Sequence, residues 1–241
     1  MLRVLVSLIS AAAIANAAPA SISLPGVTGA TGGTLSLPMQ IVVSLTLLVL
    51  LPAAVMCITP FLRIIIVLHF LRQALGTQTA PSNQVLIGLA MFLSILIMQP
   101  VASDIYNKAW EPMDQGKLTA SQAFDEGSKP LKTFLARFVR EKDVQLFVEV
   151  AKAPAPRTPT DLGLQVLVPA YILSELKAGF QIGVLLFLPF LVIDLVVASV
   201  TLSIGMIQLP PVMISAPFKI LLFVLVDGWT LVIGSLVKSF Y

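Results

Sequence analysis

The sequence predicts an all-α, membrane-associated protein made of apolar helical hairpins with a helical domain outside the cytoplasm. Of its 241 residues, 57% are apolar and only 11% are charged, and the mean hydropathy is +0.97. The stretch from 178 to 237 contains just three charged side chains, Asp194, Lys219 and Asp227. A helical crossing of a bilayer takes about 20 residues, so this stretch is long enough for two crossings. One soluble core could not accommodate so many apolar residues.

The first segment, residues 1–17, has the pattern of a secretory signal peptide. Arg3 supplies the positive charge, residues 4–14 form a short apolar core, and residues 15–17 make a small-x-small cleavage site. An uncleaved membrane helix is the alternative, but the apolar run is short for a crossing. Residues 18–38 are rich in Gly, Ser, Thr and Pro, which predicts a flexible leader. The mature N-terminus is then expected outside the cytoplasm.

The hydropathy pattern of residues 39–103 predicts a first apolar helical hairpin. Apolar runs at 41–59 and 85–101 lie on either side of a block that carries Arg63 and Arg72 and ends in a turn-rich stretch. No acidic residue occurs in the chain up to this point. The two arginines therefore predict a cytoplasmic connection, which agrees with the orientation given by the signal peptide.

The charge of the protein is concentrated in the middle of the chain. Residues 104 to 177 hold ten basic and ten acidic side chains, a net charge of zero. A segment of this composition needs contact with water, so we predict that residues 104–168 form an extracytoplasmic domain.

Helical signals recur within this segment. Thr119 and Gln122 have the spacing of a capping box at a helix N-terminus. From Leu131 onward, apolar residues recur at the i, i+3, i+4, i+7 spacing of an amphipathic helix, which is expected to continue to about Val150. Three prolines in 153–163 then predict an extended linker.

Residues 169–241 predict a second apolar hairpin that reverses near the Gly/Pro cluster at 205–211. Asp194 lies fourteen residues before Gln208, and Lys219 lies eleven residues after it. If the chain reverses there, the offset of three residues is about 4.5 Å along the helix axis. The two charges are then expected to lie at a similar depth and to pair across the hairpin.

A second feature of this hairpin is a face of small residues. Gly179 and Gly183 have the small-xxx-small spacing that lets two helices approach closely, and Glu175 lies one turn earlier on the same face. Together with Lys177, these residues are predicted to form an assembly interface between subunits. The alternative is that the helix packs inside its own subunit.

Several long motifs resemble the FliP family of flagellar export proteins. The longest is Pro169-Ala-Tyr-Ile-Leu-Ser-Glu-Leu-Lys-Ala-Gly-Phe-Gln-Ile-Gly183. The others follow in the order of that family: Arg63-Ile-Ile-Ile-Val67, Arg72-Gln-Ala-Leu-Gly76, Pro81-Ser-Asn-Gln84, Pro189-Phe-Leu-Val-Ile-Asp194, Pro217-Phe-Lys219 and Val226-Asp-Gly-Trp229. The resemblance covers nearly all of residues 38–240.

This resemblance implies a subunit of the flagellar type III export gate in the bacterial inner membrane, at the flagellar basal body. It implies a ring-like homo-oligomer, a pentamer in the family, that assembles with FliQ-, FliR- and FlhB-type subunits. The assembly surrounds a pore for unfolded flagellar polypeptides. It also implies that helices with transmembrane hydropathy are packed in an assembly raised above the bilayer, so the topology from hydropathy describes the inserted precursor.

The family also suggests a pore gasket made by the loop Met206, Ile207, Gln208 and Leu209. Flexible apolar side chains at a constriction can exclude ions and still move aside for a polypeptide. Relatives carry a methionine-rich run here, whereas this chain has Ile207 and Gln208 after Met206. An ordinary reverse turn at the membrane surface is the alternative.

The three charges of the second hairpin, Asp194, Lys219 and Asp227, are predicted to be buried. Buried charges usually find partners, so the pair between Asp194 and Lys219 is expected to hold helices or subunits together. The functional alternative is that Asp194 titrates and couples export to the proton gradient.

Other classes of function have little support in the sequence. The phosphate loop of ATPases, the paired-histidine metal helix and the nucleophile elbow of hydrolases are absent from it. With one histidine, His69, and one cysteine, Cys57, no His/Cys metal cluster is expected. We predict no enzyme activity, cofactor or nucleic-acid binding. A small-ion or solute transporter and a non-conducting membrane scaffold remain as alternatives.

Overall fold

The computed structural model describes four ranges of the chain: residues 37–77, 79–154, 158–205 and 210–241. Within these ranges the protein is helical and contains no β-strand. The all-α prediction is therefore confirmed for the described residues. The predicted signal peptide, residues 1–17, and nearly all of the predicted leader, residues 18–38, lie outside them.

The chain divides into two units, Met1–Ala53 and Ala54–Tyr241. The described part of the first unit belongs to helix α1 (Leu37–Cys57). This helix is 21 residues long and carries no charged side chain. It continues through Pro52, a residue that an apolar helix tolerates where other groups satisfy the freed backbone carbonyl.

The second unit starts with a pair of packed helices, α2 (Phe61–Ala74) and α3 (Asn83–Ile105). Helix α2 ends where Gly76 adopts a left-handed conformation with φ of +74°, which a glycine adopts without strain. The turn predicted from the Gly/Pro-rich stretch is therefore present. Residues such as Ile64 of α2 and Ala90 of α3 are fully buried in one shared core.

A series of short and medium helices follows α3. They are a π-helical turn at Tyr106–Trp110, α4 (Glu111–Asp114), α5 (Ala120–Phe138) and α6 (Glu141–Ala151). The predicted capping box at the start of α5 is present, since the Thr119 hydroxyl accepts from the Gln122 backbone N–H and the Gln122 side chain accepts from the Thr119 backbone N–H. This confirms the helix start that the sequence predicted.

The amphipathic helix predicted to reach Val150 is in fact two helices. Val139 and Arg140 are extended, with ψ near 140°. The backbone N–H of Arg140 donates to the side chain of Ser174 at 3.0 Å, instead of continuing the helix ladder. The break therefore depends on a residue far along the chain, which explains why the local pattern did not predict it.

Helix α7 (Leu164–Ser203) is the central element of the fold. It has 40 residues, which at about 1.5 Å per residue gives a length of about 60 Å. Pro169 and Pro189 lie inside it. Helices α2, α5 and α6 all pack on α7.

The last two helices are α8 (Pro211–Leu225) and α9 (Gly228–Lys238). They are inclined at 67° to one another across a short break. Asp227 lies at this break in a left-handed conformation with φ of 50°. Helix α8 packs against α7, so the chain does reverse direction between Ser203 and Pro211.

Three helices of the described ranges are long and apolar enough to cross a membrane. They are Pro38–Cys57, Asn83–Asp114 and Leu164–Ser203. The bent pair α8 and α9 would make a fourth span if it counts as one.

The charged middle of the chain is built into the same compact unit as the apolar helices. Leu135 of α5 and Val144 of α6 share a core with Leu167 and Tyr171 of α7. The segment predicted as an extracytoplasmic domain, residues 104–168, therefore packs around the N-terminal half of α7.

Candidate functional site

Ion pairs join α7 to three other helices at successive positions along its length. The pairs are Arg63–Glu175, Lys177–Asp143 and Lys219–Asp194. Helices α2, α6 and α8 supply the partners in that order. These three ion pairs place charged side chains between helices whose other contacts are mostly apolar.

The first pair is fully enclosed. Arg63 is 6% exposed and Glu175 is 0% exposed. The Arg63 Nε donates to Glu175 Oε2 at 2.9 Å, and its Nη2 donates to the other carboxylate oxygen, Oε1. This two-bond geometry satisfies the carboxylate with a planar group of matching shape.

Two aromatic rings and a hydroxyl complete the surroundings of Arg63. Its Cζ lies 4.1 Å from the centroid of the Phe240 ring and 5.4 Å from that of Phe138. Its Nη1 donates to Ser239 Oγ at 3.1 Å. The guanidinium is therefore held by a carboxylate in its plane and by aromatic faces.

This burial corrects the interpretation of Arg63 as a charge of a cytoplasmic loop. Arg63 and Arg72 lie near opposite ends of α2, nine residues apart, which is about 14 Å along a helix. Arg63 is neutralised by Glu175, so it offers no free positive charge in the folded chain. Hydropathy and charge counting could not detect a partner so distant in sequence.

The second pair lies where α6 meets α7. Asp143 is 1% exposed. It accepts a hydrogen bond from Ser174 Oγ at 2.8 Å and another from Lys177 Nζ. Ser174 in turn accepts the backbone N–H of Arg140. One short network thus fixes both the start of α6 and its position on α7.

The electrostatics of Asp143 follow from this network. Burial on its own would raise the pKa of the Asp143 carboxyl group. Hydrogen bonds from Lys177 and Ser174, together with the charges of Lys177 and Arg140, outweigh burial and hold this pKa below its ordinary value. Asp143 is therefore a stable carboxylate at neutral pH.

The third pair joins α7 to α8. Lys219 Nζ donates to Asp194 Oδ2 at 2.6 Å, and Ser215 Oγ donates to Asp194 Oδ1. Lys219 is 1% exposed, and the Asp194 side chain is 20% exposed. The structure thus brings together the two charges that the hairpin offset predicted at one depth. In this arrangement the carboxylate compensates the buried lysine.

Asp227 was predicted to be a buried charge, and this is wrong for the described chain. It is exposed at the break between α8 and α9. The next residue, Gly228, is buried, and a Cβ at that position would lie 2.2 Å from the Phe223 ring. The turn therefore needs a glycine at position 228, on the inner side of the bend. Asp227 lies on the outer side.

The small-residue face of α7 also needs a correction. A Cβ added at Gly179 would lie 3.1 Å from Ile66, and one at Gly183 would lie 2.6 Å from Phe70. Both neighbours belong to α2 of the same chain. The close helix contact predicted from the spacing is present, but it forms inside the subunit.

The predicted assembly interface therefore separates into different roles. Glu175, Gly179 and Gly183 are buried against α2, so they are not available to another subunit in this arrangement. The Lys177 side chain is 46% exposed, and its ammonium group pairs with Asp143. Gly179 and Gly183 create a groove on α7, and α2, a short and mostly apolar helix, occupies it. This is why the groove is closed to a second subunit.

The predicted pore gasket, Met206, Ile207, Gln208 and Leu209, lies outside the described residues. Its flanks are described. Helix α7 ends at Ser203, Gly205 has φ of +80°, and α8 begins at Pro211.

Sequence reasoning missed Arg63 and Asp143 as members of buried ion pairs. Arg63 had a detectable signal, since it is a charged residue inside an apolar stretch and such residues usually have partners. Asp143 had none, because it lies in a segment rich in charges of both signs. Only the folding of α6 onto α7 distinguishes it from its neighbours.

The C-terminal half of α7 contrasts with the N-terminal half, which carries Glu175 and Lys177 and is covered by other helices. Its large apolar side chains are exposed: Val184, Leu185, Leu188, Leu191, Val192, Leu195, Val196, Val200 and Leu202 are each at least 42% accessible. A monomer in water would not leave such a surface uncovered. Lipid or other protein surfaces must cover it.

The described ranges offer little chemistry beyond packing and ion pairing. Among them, no group of three or more His, Cys, Asp or Glu side chains comes close enough to hold a metal ion. The charged residues of α7 are already engaged in ion pairs with residues of α2, α6 and α8. The arrangement can position helices firmly, and it leaves an apolar half for membrane or assembly contacts.

Comparison with known proteins gives one consistent result. The model of the FliP family matches residues 44–236. A flagellar biosynthetic protein FliP of Pectobacterium carotovorum is 48% identical over 223 residues, covering 92% of this chain and 86% of that protein. The protein of the same name from Bacillus subtilis is 48% identical over 202 residues, 84% of this chain and 91% of that protein. A third, from Caulobacter vibrioides, is 47% identical over 231 residues, 95% and 87% of the two chains.

Proposed function

This chain belongs to the FliP family of flagellar biosynthetic proteins, and from that membership we propose that it is a core subunit of the flagellar type III protein export gate. In this proposal the chain oligomerises and forms part of the pore through which unfolded flagellar polypeptides pass. Its role is to build the conduit, and it carries out no catalysis.

The observation that supports this role best is the division of α7 into two halves. The N-terminal half is covered by α2, α5 and α6, and the ion pairs of Glu175 and Asp143 link it to α2 and α6. The C-terminal half leaves its apolar side chains exposed. A subunit that packs with others around a channel needs both a rigid body and a large apolar surface.

The length of α7 supports a location that extends beyond the bilayer. The hydrocarbon core of a bilayer is about 30 Å thick, whereas a helix of 40 residues is about 60 Å long. The family match and the apolar helices make this a membrane protein. We place it in the bacterial inner membrane at the flagellar basal body, with the half of α7 that carries Glu175 raised out of the lipid.

The partners in this proposal are other copies of the chain and the companion subunits of the gate. By family resemblance the copies form a ring, a pentamer, that takes up FliQ-, FliR- and FlhB-type subunits. The exposed apolar surfaces of α7 and α8 supply the area that such contacts require. Exported flagellar polypeptides would be transient partners inside the pore.

Residues 206–209 are our proposed gasket. The described flanks, Gly205 and Pro210, fit a loop at the end of the hairpin. Met206, Ile207 and Leu209 would close the pore with apolar side chains, and Gln208 would add a polar rim.

Native mass spectrometry tests the assembly part of the proposal. The full-length protein is purified in mild detergent, with and without its companion subunits. We expect a discrete ring-sized homo-oligomer that accepts the companions. A stable monomer under every condition would overturn the proposal and favour the transporter.

Conductance measurements in planar bilayers test the pore part. Deletion of residues 206–208 from the assembled complex is expected to raise ion leak. Deletion of Gly116–Leu118, three residues of the loop between α4 and α5, is the matched control and should leave the leak unchanged. A complex that never conducts, with either deletion, would indicate a non-conducting scaffold.

A further inference from the structure

A cavity lies at the end of the subunit where α2, the following turn and the start of α8 meet. Its volume is about 440 Å³. The lining residues are His69, Arg72, Gln73, Gly76, Thr77 and Val212. This lining contains a guanidinium, an imidazole and neutral polar groups, and no carboxylate.

Arg72 is the one formal cation of this lining, and all its recorded contacts are with neutral groups. Its Nη1 donates to Asn83 Oδ1 at 2.6 Å and to the carbonyl oxygen of Pro81 at 3.4 Å. Its Nη2 lies 3.1 Å from His69 Nδ1. In the part of the chain that the structure describes, Arg72 forms no ion pair, whereas Arg63 on the same helix is neutralised by Glu175. Arg72 therefore keeps a positive charge in a half-buried position.

The contact with His69 leaves the cavity with a further donor. A guanidinium only donates hydrogen bonds, so the Nδ1 of His69 must accept from Arg72. The ring proton then resides on Nε2, and this N–H together with the remaining guanidinium N–H groups can bind an acceptor. The chemistry of the cavity is that of a small anion site.

The start of α8 adds to this preference. Val212 is the second residue of α8, a helix of 15 residues, and the N-terminus of a helix favours negative charge. Gly76 lies beside α8, since a Cβ added there would be in ordinary van der Waals contact with Ala216, at 3.4 Å. Arg72 and His69 of α2 and the start of α8 thus direct positive potential toward one space.

Apolar surface adjoins the cavity. Val212 is 50% exposed and Met213 is 73% exposed at the start of α8. Val85, in the first turn of α3, is 58% exposed. Since Asn83 contacts Arg72, that turn lies beside the same cavity. A ligand that joins an anionic group to long apolar chains would match both surfaces.

We propose that this cavity binds the phosphate group of an anionic phospholipid, with Arg72 and His69 as donors and with the acyl chains against α3 and α8. Basic pockets between helices at a membrane surface are suited to such headgroups. A free phosphate ion would meet the same donors, but it would gain nothing from the apolar surface beside them. The site goes beyond the proposed export role and does not depend on it.

Lipid retention by the full-length protein tests this site. The protein is released from nanodiscs that contain equal amounts of phosphatidylglycerol and phosphatidylcholine, and bound lipid is counted by native mass spectrometry. We expect selective retention of phosphatidylglycerol. Arg72→Gln should lower its apparent affinity about tenfold, the effect of losing one charge-assisted hydrogen bond.

Two further variants keep this test decisive. Gln73→Glu leaves Arg72 and its contacts in place and adds a carboxylate of nearly the same shape to the lining, so it should also reduce retention. Lys142→Gln removes one positive charge from the exposed surface of α6 and should retain phosphatidylglycerol like the unchanged protein.

The possible outcomes separate clearly. Loss of retention in Arg72→Gln and Gln73→Glu, but not in Lys142→Gln, supports the site. Equal retention by all these variants overturns it. A third measurement adds inorganic phosphate to the protein in detergent and follows its melting temperature. Stabilisation by phosphate as strong as that by phosphatidylglycerol would overturn the assignment to a lipid.

Discussion

Arg63 and Glu175 are separated by 112 residues in sequence and form a two-bond ion pair in the centre of the subunit. Their contact joins α2 to α7 at a position from which water is excluded. Buried pairs of this kind contribute little net stability compared with apolar replacements, but an unpaired buried charge is costly. The pair therefore specifies which surface of α2 faces α7.

A single and a double variant test the contribution of this pair. Glu175→Gln should lower the free energy of unfolding by about 3–5 kcal/mol, because it leaves the guanidinium of Arg63 buried without a counter-charge. The double variant Arg63→Met with Glu175→Gln should recover most of this loss. Thermal unfolding in detergent, followed by tryptophan fluorescence, measures both. Equal stability of Glu175→Gln and the unchanged protein would contradict the buried pair.

The two glycines of α7 that contact α2 are predicted to differ in how much stability is lost when each is replaced by alanine. Gly183→Ala should destabilise the protein by about 1–3 kcal/mol, because its Cβ would overlap Phe70 and overpacking carries that cost. Gly179→Ala, with a milder approach to Ile66, should cost less.

Gly234→Ala is the matched control for these substitutions. A Cβ there meets nothing within 4 Å, so this variant should gain up to about 1 kcal/mol from helix propensity. The order of the three melting temperatures is the measurement. A Gly183→Ala protein that melts above Gly234→Ala would show that α2 does not pack here.

The pair between Asp194 and Lys219 predicts that assembly and export fail together. Asp194→Asn leaves the buried ammonium of Lys219 without its carboxylate, which should destabilise the contact between α7 and α8. The amount of assembled complex on native gels and the secretion of flagellar proteins should then fall in parallel. Full assembly with loss of secretion would instead support a titrating Asp194 that couples export to protons.

The network around Asp143 predicts a dependence of stability on acid. The folded protein holds the pKa of Asp143 below its ordinary value of 3.8. The folded state therefore binds fewer protons than the unfolded state near this pH. The stabilisation is complete above the ordinary pKa and is lost as pH falls through the lowered one.

Measuring the free energy of unfolding between about pH 3 and pH 7 tests this sign. Asp143→Asn should weaken the fall in stability below about pH 4. Asp125→Asn removes an exposed carboxylate from α5 and serves as the control. An unchanged pH profile in Asp143→Asn would mean that the Lys177 contact does not persist in solution.

Most of the helices were predictable because their signals are local. The apolar run of α1, the capping box at Thr119 and the glycine turn at Gly76 each depend on a few neighbouring residues. The depth of Asp194 relative to Lys219 followed from counting residues on each side of the reversal. Local patterns of this kind predict where helices and turns lie and the approximate depth of a charged residue along a hairpin.

Contacts between distant elements were not predictable in the same way. The separation of α5 from α6 depends on Ser174, which accepts a hydrogen bond from Arg140. The glycine face of α7 predicted a close helix contact, but the spacing could not identify α2 as the partner. The hydropathy of the apolar stretch, taken as a whole, also failed to predict the bend at Asp227. The side chain of this one charged residue is exposed there.

The position of α7 late in the chain has a consequence for biosynthesis. Ribosomes add about 5–20 residues per second, so synthesis from Arg63 to Glu175 takes roughly 6–22 s. During this interval α2 and the later α6 exist without the helix that neutralises their buried charges. The apolar core can therefore close only after α7 has emerged.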